Sequence, residues 1–222
     1  MTTSCASIYA CSCKRENHDC RRVVLTGGPG AGKTAVLEIA RKNFCEHISI
    51  LPEAASIIFG GGFWRHDTIA AKKAAQRAIF HVQREQEALV EEEGTSAIAL
   101  CDRGTVDGLA YWPGTEDEFW HELGTTKGKE LARYVAVIHL RTPPMEQGYN
   151  HQNPIRTESA IQAAEIDEKI AQAWNGHSKR FFIDSQDDFL EKISQAIALI
   201  KDELPDCCKG HRIQELKEGR ER

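Results

Sequence analysis

The chain has 222 residues, of which 41% are hydrophobic and 27% charged, and its formal net charge is −5. That length suits one well-buried core and is short for two, and the acidic balance gives no global attraction to nucleic acid or anionic lipid. No apolar stretch approaches the ~20 residues of a transmembrane helix, and Lys14, Arg15, Arg21 and Arg22 follow the weak N-terminal apolar stretch instead of preceding it as in a secretory signal, so a cytoplasmic setting is the expectation.

Four of the eight cysteines, Cys5, Cys11, Cys13 and Cys20, crowd the first twenty residues, with His18 among them. Zinc sites usually show two closely paired ligand sets, and here the spacing is irregular. Residues 1–21 are therefore taken as a flexible Cys-rich leader of reduced thiols. The alternative is a metal clip closed by Cys207, Cys208 or His211. Cys45 and Cys101 lie in apolar surroundings and are expected in the core.

The run Arg22-Val23-Val24-Leu25-Thr26 suits a buried parallel strand. Gly27, Gly28, Pro29, Gly30, Ala31, Gly32, Lys33 and Thr34 follow it and match G-x-x-x-x-G-K-[ST], the phosphate-binding P-loop. In such a loop the backbone N–H groups turn inward around a nucleotide's phosphates. Lys33 reaches the β- and γ-phosphates, Thr34 offers its hydroxyl to Mg²⁺, and the helix beginning here adds its positive end.

A second strand, Ile48–Leu51, ends at Pro52-Glu53. The segment Phe59 to Trp64 is too glycine-rich for a regular element. A long helix is predicted from about Thr68 to Glu93, with Ala71, Ala75, Ile79, Val82 and Leu89 as its buried stripe and Gly94 as its stop. Gln76, Phe80, Gln83 and Glu87 share another face, either an ordinary half-exposed surface or a seat for a base or ring. Trp64 and Arg65 either line an acceptor pocket or anchor a loop.

The third strand, Ala97–Cys101, ends at Asp102. An apolar strand ending in an acid is the usual Mg²⁺-organising partner of a P-loop, and open α/β sheets place ligands at that end. Residues 103–131 hold a loop and one or two helices, and a fourth strand spans Val135–Leu140. The polar stretch 141–157 has no hydrophobic period and is expected to be a mobile loop or lid. A helix over 159–174 carries Ile166, Ile170 and Trp174 on one face. A fifth strand follows at Arg180–Asp184. The last core helix, about 187–203, is expected to bury Phe189, Ile193, Ile197 and Ile200. Pro205 stops it, and residues 205–222 form a charged tail.

Strands alternating with helices imply an α/β fold with a parallel sheet covered on both faces. The expectation is one P-loop NTPase domain over 22–204, nucleoside- and nucleotide-kinase-like, with five strands in the order 2-3-1-4-5. The GTPase N-K-x-D pattern and the ABC-transporter signature are both absent. Asp102-Arg103 instead resembles the D-R-[YSG] element of nucleoside and nucleotide kinases, in which the arginine meets phosphates and the acid serves metal or substrate.

Several further segments resemble one family. They are Pro52-Glu53-Ala54-Ala55, Gln83-x-x-Gln86, Asp102 to Tyr111, Arg156-Thr157-Glu158, Ala173-Trp174-x-Gly176-His177 and Ile183-Asp184-Ser185 with Asp188-Phe189. Together they are similar to the P-loop "AAA domain" family that includes the NadR-type ribosylnicotinamide kinases and the TRPL translocation defect proteins. The resemblance covers about residues 22 to 200.

The expected function is Mg²⁺-dependent binding of ATP, or GTP, with phosphoryl transfer to a small-molecule acceptor. Thr34 and Asp102 would organise the metal, and Glu53 would orient the acceptor, as the glutamate after this strand is proposed to do in the resembling deoxynucleoside kinases. Arg103 and the lid residue Arg156 would stabilise transferred charge, with Arg141 a second arginine candidate. Gln83 and Asp107 are candidate acceptor contacts. The rivals are a plain NTPase with water as acceptor and a nucleotide-dependent binding or regulatory protein with little turnover. His66, His81, His121, His139 and His151 show no metal spacing.

Overall fold

The computed structural model describes Cys13 and residues 17–143, 160–184 and 188–209. Five parallel strands, β1 (Arg21–Thr26), β2 (Ile48–Leu51), β3 (Ile98–Asp102), β4 (Ala136–Leu140) and β5 (Arg180–Ile183), lie in the order β2-β3-β1-β4-β5. This is the sheet expected from the sequence. The helices among the described residues are α1 (Lys33–Asn43), α2 (Ala54–Gly60), α3 (Ile69–Glu93), α4 (Glu116–Glu122), α5 (Lys127–Leu131), α6 (Ala160–Ala173) and α7 (Phe189–Asp202). Short 3₁₀ helices span Thr105–Tyr111 and Asp206–Cys208. None of these helices is long and apolar enough to cross a membrane.

Successive strand residues point to opposite faces of the sheet, which divides the core in two. On one face Val23, Leu25, Leu100, Ile138 and Leu140 pack with Val36 and Ala40 of α1 and with Ile193, Ile197 and Ile200 of α7. On the other, Val24, Ala99, Cys101 and Val137 meet Phe80 of α3, Phe119 of α4, and Ile170 with Trp174 at the end of α6. The near-continuous apolar strands thus match a sheet covered on both sides. Cys45 and Cys101 are buried, as expected.

Three local expectations are corrected. The segment after β2 is helical: α2 runs through Phe59 and Gly60, and the glycines form its end, with the Gly61 N–H donating to Ile57 O at 2.9 Å. The buried stripe of α3 is Ala75, Phe80, Gln83 and Glu87, while Leu89 is 56% exposed. Apolar periodicity fails here because the helix buries an acid, Glu87, paired with Gln83 on the same helix and with Tyr134 and Arg133 elsewhere in the chain. Phe189 is 49% exposed, because its ring lies on the P-loop and not in the core.

Candidate functional site

The phosphate loop starts where β1 ends, and its shape depends on glycines, Gly27 and Gly32 most tightly. Gly27 has φ 131°, and a Cβ there would lie 2.0 Å from Leu140 O. Gly32 has φ 97°, and a Cβ there would meet the Phe189 ring at 2.7 Å. Both conformations lie in the region that only glycine adopts freely.

The loop is fastened from outside. The Gly28 N–H donates to Asp167 Oδ1 of α6 at 2.7 Å, and Thr142 Oγ1 donates to Pro29 O at 3.3 Å. Asp167 also meets His139 Nε2 at 2.9 Å and accepts from Arg141 at 3.1 Å. Burial alone would raise the Asp167 carboxyl, but His139, the Gly28 N–H and Arg141 outweigh it and hold its pKa at about 2. Lys33 is buried, and its Nζ donates to Gly27 O at 2.9 Å and Gly28 O at 3.0 Å. Burial, reinforced by the nearby Arg103 charge, lowers its pKa from 10.5 to about 8.

Register brings the strand-end acid to the same place. Asp102 pairs with Leu25, two positions before Gly27. Its Oδ1 is buried and has no hydrogen-bond partner among the described residues. Burial raises the Asp102 carboxyl, with Glu53 adding to the rise while Lys33 and Arg103 oppose it. A buried carboxylate oxygen without a partner costs about 1–3 kcal/mol, and a cation would remove that cost. The exposed Thr34 lines the same cleft. This all-oxygen pair fits a hard cation such as Mg²⁺.

Arg103 and Glu53 form a pair across the cleft. Arg103 adopts φ 71°, an unusual backbone state for a side-chain-bearing residue. Its Nε donates to Glu53 Oε1 at 2.7 Å and its NH1 to Gly27 O at 3.3 Å. Burial opposes the Arg103 charge, but Tyr111, Glu53, Asp107 and Asp102 raise its pKa above the ordinary arginine value. Glu53 immediately precedes α2, and its Oε2 accepts from Ser56 Oγ at 2.5 Å. Burial would raise its carboxyl, yet Arg103, Ser56 and Lys33 together hold it at about 2.

The other sequence candidates separate. Asp107 is buried under the 3₁₀ turn, bonded by Thr26 Oγ1, by the Gly104 N–H at 2.8 Å and by Trp174 Nε1 at 3.2 Å. Gln83 is buried at the cleft's inner wall, with Nε2 donating to Glu87 Oε1 at 2.8 Å. Arg141 pairs with Asp167 and Glu168 and lies over the Phe182 ring at 4.9 Å. Trp64 is 76% exposed at the cleft mouth, and Arg65 lies 4.2 Å from the centre of the Phe59 ring. Arg156 and most of the expected lid lie outside the described residues.

Sequence reasoning set Glu87 on a half-exposed face or a ring seat and did not single out Glu130, Tyr134 or Asp167, the residues that support this site. Glu87 and Glu130 are fully buried acids. Glu87 accepts from Tyr134 OH at 2.8 Å and from Arg133, and Glu130 accepts from Thr105 Oγ1 and Arg84, each at 2.9 Å. Tyr134 OH in turn accepts the Thr105 N–H at 2.9 Å, so the network anchors the turn that follows Arg103. A signal existed: Glu87 shares its stripe with Phe80 and Gln83, and Asp167 shares one with Ile170 and Trp174. An acid on an inward stripe marks a buried partner.

One cleft of about 610 Å³ connects these groups. It runs from the P-loop past Asp102, Arg103 and Glu53 to a wall of Phe59, Gln76, Phe80, Gln83 and Tyr111.

The family model described as "AAA domain" matches residues 22–192. Among solved structures, a NadR protein in complex with NR aligns with a TM-score of 0.63 at 19% identity, covering 90% of this chain and 55% of that one. A NadR protein in complex with NAD and AMP-PNP aligns with a TM-score of 0.57 at 16% identity, covering 90% and 52%. The chain thus spans about half the length of these NadR chains, and the likeness is one of fold. No curated protein sequence matches it.

Proposed function

The chain belongs to the AAA domain family, and we propose that it is a Mg²⁺-dependent small-molecule kinase, taking ATP or GTP as phosphoryl donor and a ribosyl-type alcohol as acceptor. The observation that carries this reading is the shape of the cleft. It continues well beyond the phosphate loop into a wall of aromatic and amide side chains, and Glu53 and Arg103 stand between the two parts. A site serving water alone needs no such wall. The complexes of NadR with NR and with AMP-PNP support the same pairing of acceptor and donor here.

In this proposal the loop from Gly27 to Thr34 cradles the phosphates, and Lys33 leaves the loop carbonyls to meet them. Thr34 and Asp102 hold Mg²⁺, which when bound neutralises charge on the phosphate oxygens. Glu53, ionised at any working pH because its pKa is held at about 2, is a weak base. Its role is to accept the acceptor's O–H and align the oxygen for attack. Arg103 keeps Glu53 in place and faces the transferring group, with Arg156 joining it from the segment after β4. Gln83 lines the acceptor wall, and Asp107 holds the turn that carries Arg103.

The test is to incubate the protein with Mg²⁺ and ATP or GTP against a panel of nucleosides, other ribosides and simple alcohols, and to identify products by mass spectrometry. A phosphorylated riboside is the expected product. Phosphate release that no acceptor stimulates would make the chain an NTPase. Tight nucleotide binding without turnover would make it a nucleotide-dependent binding protein.

A further inference from the structure

At the amino ends of the strands, opposite the phosphate loop, three segments bring cysteine and histidine together. Cys13 and His18 precede β1, Cys45 and His47 lie between α1 and β2, and Cys207 and Cys208 end the 3₁₀ helix after α7. Cys13 Sγ lies 3.7 Å from His18 Nε2, and Cys207 Sγ lies 3.9 Å from Cys208 Sγ. Cys208 Sγ is also 3.5 Å from His47 Nδ1, and the rings of His18 and His47 are 4.6 Å apart between centres. The donor atoms of Cys13, His18, Cys207 and Cys208 all fall within 4.8 Å of one another.

We propose that Cys13, His18, Cys207 and Cys208 hold a structural zinc ion. Zn–S bonds of about 2.3 Å and Zn–N bonds of about 2.0–2.1 Å in a tetrahedron require S···S edges of about 3.8 Å and S···N edges of about 3.6 Å. The observed 3.9 Å and 3.7 Å match one edge of each kind, and the other separations are at most 4.8 Å. Three sulfurs and an imidazole form a donor set suited to zinc and unsuited to Mg²⁺ or Ca²⁺. Four protein ligands leave no position for substrate, so the site is structural. His47, buried with its Nδ1 3.5 Å from Cys208 Sγ, stands outside the ligand set, where its ring N–H would donate to the zinc-bound thiolate and fix its orientation.

The site has a clear mechanical consequence. Cys208 is fully buried in the core cluster on the α1–α7 face, and Cys13 and Cys207 pack against that cluster. Zinc there joins the segment before β1 to the segment after α7, closing a loop around the whole sheet. Metal binding then becomes part of the folding free energy, while the phosphate loop at the other pole is untouched.

Metal content of the full chain, purified under reducing conditions without added zinc, tests this. The expected result is ~1 zinc per chain by mass spectrometry, falling below ~0.2 in a C13S/C207S variant. Cobalt replacement in the unmodified chain guards against a variant that fails to fold. Strong thiolate-to-cobalt absorption with tetrahedral d–d bands is expected, and Zn²⁺ should displace it. Chelation should lower Tm by roughly 5 °C or more, with metal-restored Tm on adding Zn²⁺. C45S should keep ~1 zinc, since Cys45 stands outside the ligand set. A reduced chain that takes up neither Zn²⁺ nor Co²⁺ overturns the proposal. So does a disulfide between these cysteines in the purified chain, or zinc that survives C13S/C207S.

Discussion

The surroundings of Lys33 lower its pKa, and that shift has a measurable sign. With its pKa near 8, the ammonium is already charged below pH 8 and must take up a proton on binding phosphate above it. Nucleotide affinity should therefore be level below pH 8 and weaken as pH rises past it, by up to about tenfold per pH unit. Titration calorimetry in buffers of different ionisation enthalpy should detect the proton uptake, and Lys33→Ala should lose both the uptake and tight binding. Asp102→Asn keeps the size of the side chain but removes its charge. Turnover should fall by at least ~10²-fold at ordinary Mg²⁺ concentration, with metal-free nucleotide affinity nearly unchanged. Steady-state rates across a Mg²⁺ series, beside calorimetry in chelator, separate the two effects. Glu53→Gln should lose acceptor-stimulated turnover by roughly 10²-fold and leave nucleotide affinity within a factor of a few. Equal acceptor-stimulated rates in the variant would remove Glu53 from the reaction.

At the scale of elements, the turn after β3 is held less by its own hydrogen bonds than by what lies beneath it. Asp107 accepts from Thr26, Gly104 and Trp174, and so joins β1, the turn and the end of α6. Asp107→Asn would set an amide N–H₂ against donors and leave at least one of them unsatisfied, at a cost of about 1–3 kcal/mol. A Tm roughly 3–10 °C lower is expected, the scale for a chain of this size. Acceptor KM in the remaining folded protein should be unaltered. A raised KM without loss of Tm would instead make Asp107 a substrate contact. Asp167 does the corresponding work for the phosphate loop from α6, through the Gly28 N–H.

For the whole molecule, the two poles of the sheet carry different duties. The carboxyl ends of the strands carry the phosphate loop and cleft, and the amino ends carry the cysteine–histidine cluster. Ligand at the first pole should stabilise the entire fold by mass action. At Mg·nucleotide concentrations ~100 times Kd, about 2.7 kcal/mol of stabilisation is expected, which raises Tm by roughly 5–11 °C. Differential scanning fluorimetry should show this rise in the unmodified chain and not in Lys33→Ala. A rise of the same size in the variant would place the nucleotide away from the phosphate loop.

What the sequence determined by itself was contiguous or periodic. The phosphate loop is eight neighbouring residues, and its strand-loop-helix setting is written beside it. Asp102 was legible because an acid ending an apolar strand has one usual place in a parallel sheet; the five apolar runs indicated the strands, and their order was expected from the P-loop, kinase-like fold class. What only the tertiary structure decided depends on partners distant in the chain. The Arg103–Glu53 pair, which makes Glu53 a weak base, forms across the cleft between β3 and α2. The inward face of α3 was misread because Glu87 is affordable inside only with Tyr134 and Arg133 beside it. Phe189 lies against the phosphate loop, where a Cβ on Gly32 would meet its ring. Cys13 and Cys208 belong together only after the fold brings the two segments to one pole. Hydrophobic period records which side of an element is buried on average, whereas the partners of a buried charge are set by packing between elements.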